Sequence, residues 1–167
     1  MKKICAFTIG NRPLGALTIT KAVTVDGSSA AADTGGKKNL ADGDYSFTIT
    51  GPGEYSETGT IKVENGAAMS SIVLRDIIPG DYIITEADVT NGTTLSDRSG
   101  GTASGDRGIL ITVVSGSTAE ANTAVFTNNI NTTSLKIDKT VVSRFRRTAQ
   151  TKLSHLPLRS GNRMEHL

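Results

Sequence analysis

Lys21, Glu86 and Asn128 are an amine, a carboxyl group and a carboxamide carried by three distant segments of a 167-residue chain. Each lies in a stretch of alternating character: Leu17-Thr18-Ile19-Thr20-Lys21-Ala22-Val23-Thr24-Val25, Tyr82-Ile83-Ile84-Thr85-Glu86, and Ala124-Val125-Phe126-Thr127-Asn128-Asn129-Ile130. Successive side chains of a strand point to opposite faces. Lys21 therefore shares a face with Leu17, Ile19, Val23 and Val25, Glu86 with Tyr82 and Ile84, and Asn128 with Ala124, Phe126 and Ile130. Three polar groups in inward slots are costly unless they meet one another. Burial disfavours an ammonium ion, and a neutral amine is a nucleophile. The same burial favours the uncharged form of an acid, which can hydrogen-bond an amide carbonyl and move protons. Taken alone, Lys21 also reads as an exposed lysine guarding an edge strand; the matching faces of the other two residues favour the inward reading.

The elements that must position these residues are strands. Strand signals fall at residues 16–25, Asp44–Thr50, Thr60–Glu64, Met69–Leu74, Tyr82–Ala87, Ile109–Val114 and Ala121–Ile130, separated by turn signals. Asn65-Gly66 is a two-residue hairpin signal, and Ile78-Pro79-Gly80-Asp81 reads as a turn. Residues 26–41 and 90–108 are polar and glycine-rich and read as loops, the second a mobile one. No stretch of ten residues holds a 3.6-residue period. The expected class is all-β: an Ig-like (prealbumin-like) β-sandwich of about seven strands.

Composition narrows the function classes. Aromatic residues make up 4% of the chain and there is no Trp, which suits short strands and turns. Cys5 is the one cysteine, so no internal disulfide can form, and both histidines lie near the C-terminus, which disfavours a Cys/His metal site. No cofactor is implied. The net charge of +2 hides an asymmetry: residues 142–167 carry +5 and the rest −3. Nucleic-acid binding by the body therefore has no electrostatic support. No apolar run approaches the roughly 18–20 residues of a membrane span, and the start, Met1 to Gly10, is too short in its apolar part for a signal peptide. An enzyme reading finds no nucleophile–His–acid set.

An internal repeat runs through the chain. Leu17-Thr-Ile-Thr-Lys21-Ala-Val23 returns as Leu135-Lys-Ile-Asp-Lys139-Thr-Val141, and Ala6-Phe7-Thr8-Ile9-Gly10-Asn11 resembles Val125-Phe126-Thr127-Asn128-Asn129. The reading is a tandem array. Residues 1–13 end one unit, 14–131 form a complete unit, 132–141 begin the next, and 142–167 are a basic, disordered or non-native tail.

The first-strand Leu-Thr-Ile-Thr-Lys21, the middle Leu74-Arg-Asp-Ile-Ile-Pro79-Gly80-Asp-Tyr82-Ile-Ile-Thr-Glu86 and the closing Val-Phe-Thr-Asn128 together resemble the Cna protein B-type domain, a stalk repeat of Gram-positive adhesins and pilins. The likeness covers about 14–131 in the family's order. It departs after Glu86, where Ala87-Asp88-Val89 stands in place of the family's usual Ala-Pro and Gly-Tyr. The resemblance implies a spontaneous intramolecular isopeptide bond from Lys21 to Asn128, with Glu86 as the proton shuttle: a single-turnover self-reaction rather than an enzyme. Such a bond would span 107 positions, and a cross-link closing a loop of that size stabilises by about 4–5 kcal/mol. The resemblance also implies a bacterial cell surface or cell wall location, with neighbouring repeats of the same polypeptide as partners. The alternative is a ligand-binding adhesin module meeting a host matrix protein or glycan through 26–41 and 90–108.

The remaining candidates are weaker. Asn129 is the fallback partner, but parity turns it outward. Glu57, Glu64 and Glu120 are other acids, none on the Pro-Gly-Asp-Tyr strand. Lys139 repeats Lys21 in register without partners and is expected to stay unreacted. Asp97-Arg98 and Asp106-Arg107 read as solvated loop charges. Asn91-Gly-Thr and Asn131-Thr-Thr match a glycosylation pattern common by chance, and Leu156-Pro157-Leu158-Arg159-Ser160-Gly161 resembles a sortase signal but lacks its threonine.

Overall fold

Two curled sheets pack face to face in the computed structural model, which describes residues 12–133 together with 139 and 140. The expectations for residues 1–11, for 142–167 and for most of 132–141 lie outside the described residues. The chain divides between Thr133 and Ser134, and the sandwich belongs to the first unit. In the second, Lys139 and Thr140 are exposed.

Eleven strands occur among the described residues: β1 (Gly15–Val25), β2 (Ser28–Ser29), β3 (Gly43–Gly51), β4 (Tyr55–Glu64), β5 (Ala67–Ala68), β6 (Ile72–Ile77), β7 (Gly80–Glu86), β8 (Thr94–Ser99), β9 (Thr102–Ser104), β10 (Gly108–Val113) and β11 (Thr123–Ile130). One sheet runs β2-β1-β11-β8, with β6 on the same edge of β1 as β2; the other runs β5-β4-β3-β7-β10-β9. The class is the expected all-β sandwich. The larger strand count has local causes. Asp26-Gly27 turns the chain with both φ angles positive, so Ser28–Ser29 folds back on the end of β1. Residues 90–108, expected as a mobile loop, instead form β8 and β9. β8 pairs with the last strand and β9 with β10, which gives the polar stretch two sheet edges to bond to.

The Asn65-Gly66 hairpin forms with both residues at positive φ, but only Ala67–Ala68 answers it. The chain then crosses to the other sheet, where β6 pairs with β1 rather than β4. The expected fourth strand at Met69–Leu74 is thus displaced to Ile72–Ile77, because Leu74 and Ile77 are needed under β1.

Each core-facing strand buries alternate residues. Leu17, Ile19, Val23 and Val25 of β1 are buried, as are Tyr45, Phe47 and Ile49 of β3, and Tyr82 and Ile84 of β7. The ordering feature for function is the pairing of the first and last long strands. β1 and β11 run parallel, with Lys21 opposite Phe126 and Val23 opposite Asn128.

Gly100 turns β8 into β9 at φ +89°, and a Cβ placed there would overlap the carbonyl oxygen of Thr123 on β11. Gly105 also has positive φ (+59°) but faces open space. Gly105→Ala should therefore cost about 1 kcal/mol of backbone strain. Gly100→Ala should cost at least about 2 kcal/mol, since β11 itself must shift. Urea midpoints of the two variants test this; equal midpoints would contradict it.

Candidate functional site

Lys21, Glu86 and Asn128 come together between the sheets. Lys21 is 6% exposed, and Glu86 and Asn128 are 0% exposed. Lys21 and Asn128 project from the inner face of the parallel β1–β11 pair, offset by two residues in register, and the long lysine side chain bridges the offset. Its Nζ donates to Asn128 Oδ1 at 2.5 Å and to the carbonyl oxygen of Phe126 at 3.4 Å. Glu86 arrives from the facing sheet at the end of β7, where it pairs with Phe47. Its Oε1 lies 3.0 Å from Lys21 Nζ. That is ion-pair distance, yet neither carboxylate oxygen has a directed hydrogen bond from a described residue.

Aromatic rings close the site. Phe47, beside Glu86, meets Phe126, beside Lys21, edge to face at 5.1 Å. The Tyr45 ring centroid lies 4.5 Å from Lys21 Nζ. With water excluded, burial pulls the Lys21 ammonium down from 10.5 to about 8. The charge and hydrogen-bonding capacity of Glu86 work against that fall, while the positive charge of Arg107 adds to it.

Sequence reasoning missed several residues around this centre. Arg107 was expected to be a solvated loop charge. It instead folds back over the end of β7, donating from Nε to the Glu86 carbonyl at 2.9 Å and from a terminal nitrogen to the Ala87 carbonyl at 2.6 Å. The same terminal nitrogen stands 3.7 Å from Glu86 Oε2, and the other is 3.1 Å from Asp88. No periodicity marks such a residue, because it acts from a turn. Asn91 and Thr93 were noted only as a glycosylation pattern, yet Thr93 is buried and its Oγ1 accepts from Asn128 Nδ2 at 3.4 Å. Tyr45 was placed correctly in an alternating strand without a role.

The weaker candidates lie elsewhere. Asn129 faces outward and bonds Thr24 and the Gly27 amide. Glu57 accepts from Tyr55, Glu64 pairs with Lys62, and Glu120 is exposed. Among the described residues, no three His, Cys, Asp or Glu side chains cluster to hold a metal, and no helix is long and apolar enough to cross a membrane.

No protein-family model matches the sequence, and no curated protein matches it. Several solved structures are similar to it, among them the following three. The TIE protein of Bacillus anthracis matches over 71% of this chain at 20% identity and a TM-score of 0.42. An adhesin of Mobiluncus mulieris, described as containing intramolecular disulfide, isopeptide and ester cross-links, matches over 71% at 20% and 0.40. GBS52, the minor pilin of Streptococcus agalactiae, matches over 77% at 17% and 0.39. The chain spans 17%, 41% and 49% of their respective lengths. At such identities and scores, function has to be argued from the site itself.

The depressed Lys21 pKa makes a signed statement about stability. Between about 8 and 10.5 the unfolded chain holds a proton on Lys21 that the folded chain has released. Stability therefore rises with pH across that window. Asn128→Ala, which keeps Lys21 and Glu86 but removes the amide, should show the rise in urea midpoints. The double variant Lys21→Met/Asn128→Ala should lack that increment. Identical pH profiles for the two would show that Lys21 is not desolvated.

Proposed function

We propose that residues 14–131 are a stalk domain of a bacterial surface protein, locked by an isopeptide bond between Lys21 and Asn128 that the domain forms on itself. The observation that carries this reading is the placement of Lys21 Nζ 2.5 Å from Asn128 Oδ1 and 3.0 Å from Glu86 Oε1, with all three groups out of water. The carbonyl carbon to be attacked is one bond behind that oxygen. Folding thus supplies the proximity that a bimolecular reaction lacks, worth effective molarities of roughly 10⁵ M or more.

The chemistry balances without a co-reactant. The neutral amine of Lys21 attacks Cγ of Asn128, and the Nζ–Cγ bond forms as the Cγ–Nδ2 bond breaks. One amine proton passes through Glu86 to the departing nitrogen, and ammonia leaves. Glu86 suits the shuttle because its two oxygens are committed to no other described hydrogen-bond donor.

The topology supports a mechanical role. In a parallel pair, the chain joins β1 at one end of the sandwich and leaves β11 at the other. An eleven-residue strand is about 35 Å long. Tension between neighbouring repeats would load β1 and β11 in shear along that length. With the bond in place, only residues 15–21 and 128–130 of the pair remain in the load path, and residues 22–127 between them are bypassed. The partners of this reading are neighbouring repeats of the same polypeptide, and the place is the outside of a Gram-positive cell.

The intact protein is expected to be lighter than its sequence by one ammonia, and Lys21→Ala and Glu86→Ala are expected to have full mass. Pulled from its ends, the native domain should show no unfolding extension, whereas Lys21→Ala should release roughly 350–390 Å of hidden chain. A full mass for the native protein would end this reading.

A further inference from the structure

The segment between β7 and β8 holds a chain of hydrogen bonds that ends on the nitrogen of Asn128. Its start is unambiguous. The Ala41 carbonyl oxygen can only accept, so the Tyr45 hydroxyl, 2.8 Å away, must donate to it. The Tyr45 oxygen then accepts from Asn91 Nδ2 at 2.9 Å. That sets the Asn91 amide with Oδ1 toward Thr93, where it accepts from the Thr93 hydroxyl at 2.8 Å and from the Thr93 backbone N–H at 3.1 Å. Gly92 makes the tight Asn91–Thr93 turn possible at φ +82°. With its proton spent on Asn91, Thr93 Oγ1 has only lone pairs left to offer. It lies 3.4 Å from Asn128 Nδ2. Tyr45 OH is also 3.4 Å from Thr93 Oγ1, but its proton is engaged by Ala41.

We infer that Thr93 is a positioning residue for the cross-link: through the Ala41–Tyr45–Asn91 chain it presents an obligate acceptor to Asn128 Nδ2, and so fixes which end of the carboxamide faces Lys21. Lys21 cannot sort the amide unaided. As an ammonium it only donates, but as the neutral amine that reacts it both donates and accepts, and it can bond either end. The relay removes that choice at the stage where it matters. Oδ1 is held toward Lys21, and the nitrogen that must depart is held toward Thr93. Thr93 is 5% exposed and Tyr45 0%, so water does not compete for these positions.

This inference rests on the isopeptide reading, and the two fail differently. The full chain, assembled chemically and kept unreacted in denaturant, is diluted into buffers from pH 6 to 10, and the ammonia-lighter mass is followed with time. If the native chain never loses ammonia, the isopeptide reading falls. If it reacts, the rate should rise with pH to a plateau with a midpoint near 8, set by Lys21. Thr93→Val keeps the shape but lacks the acceptor. It should lower the plateau at least about tenfold, as misplacement of a reacting group does, with the midpoint unmoved. Thr93→Ser should stay near the native rate. An unchanged plateau in Thr93→Val overturns the assignment. So does a midpoint moving toward 10.5, which would mean that water had entered and Thr93 was only packing. If Thr93→Val fails to fold, Thr93→Ala against Thr93→Ser makes the same comparison at similar volume, and equal rates for these two overturn it.

Discussion

An amine, a carboxyl group and a carboxamide are held together out of water, and most of the architecture follows from the need to satisfy them. A single buried charge without a partner would cost several kcal/mol, so Lys21 and Glu86 are each costly without the other, and the buried carboxamide is costly without a hydrogen-bond partner. Their meeting requires the first and last long strands to lie side by side in parallel with a two-residue offset, and the second sheet to bring the end of β7 to the same point. The aromatic contact between Phe47 and Phe126 sits on the pairing partners of Glu86 and Lys21. The packing that stabilises the sandwich is thus also the packing that dries the site.

The electrostatics are a balance of opposing effects. Desolvation favours the neutral, nucleophilic amine, while Glu86 favours the ammonium. Desolvation is the largest effect and sets the direction; Arg107 adds a smaller push the same way and ties down the backbone of Glu86 and Ala87. A carboxyl group 3.0 Å from a lysine of lowered pKa is an arrangement suited to passing a proton. In the proposed self-reaction the acceptor at Thr93 completes the set: nucleophile, proton carrier and an oriented leaving group have separate positions around one carbonyl.

How much of this was legible beforehand can be seen residue by residue. Strand alternation placed Lys21, Glu86 and Asn128 on inner faces and turned Asn129 outward, because the two-residue period is a property of the extended backbone itself. Residues 90–108 were misread as a loop since polar, glycine-rich strands at a sheet edge lack buried alternation; pairing with neighbours, rather than composition, makes them strands. The same holds for the crossing of β6 to β1, which no local signal announced. Arg107, Asn91 and Thr93 carry no pattern that points to this site. Each acts through a partner brought near by the fold.

By itself, then, the sequence determined the local geometry: extended segments, the turn at Asn65-Gly66, and the face on which Lys21, Glu86, Asn128 and Asn129 stand. Those follow from backbone sterics and from apolar periodicity, which are short-range. Only the tertiary structure decided that three inward polar groups from two sheets share one point, that β1 and β11 run parallel, and that a hydrogen-bonded relay reaches Asn128. Such facts depend on contacts across about a hundred residues of chain, where register and sheet order, rather than any nearby residue, choose the neighbour.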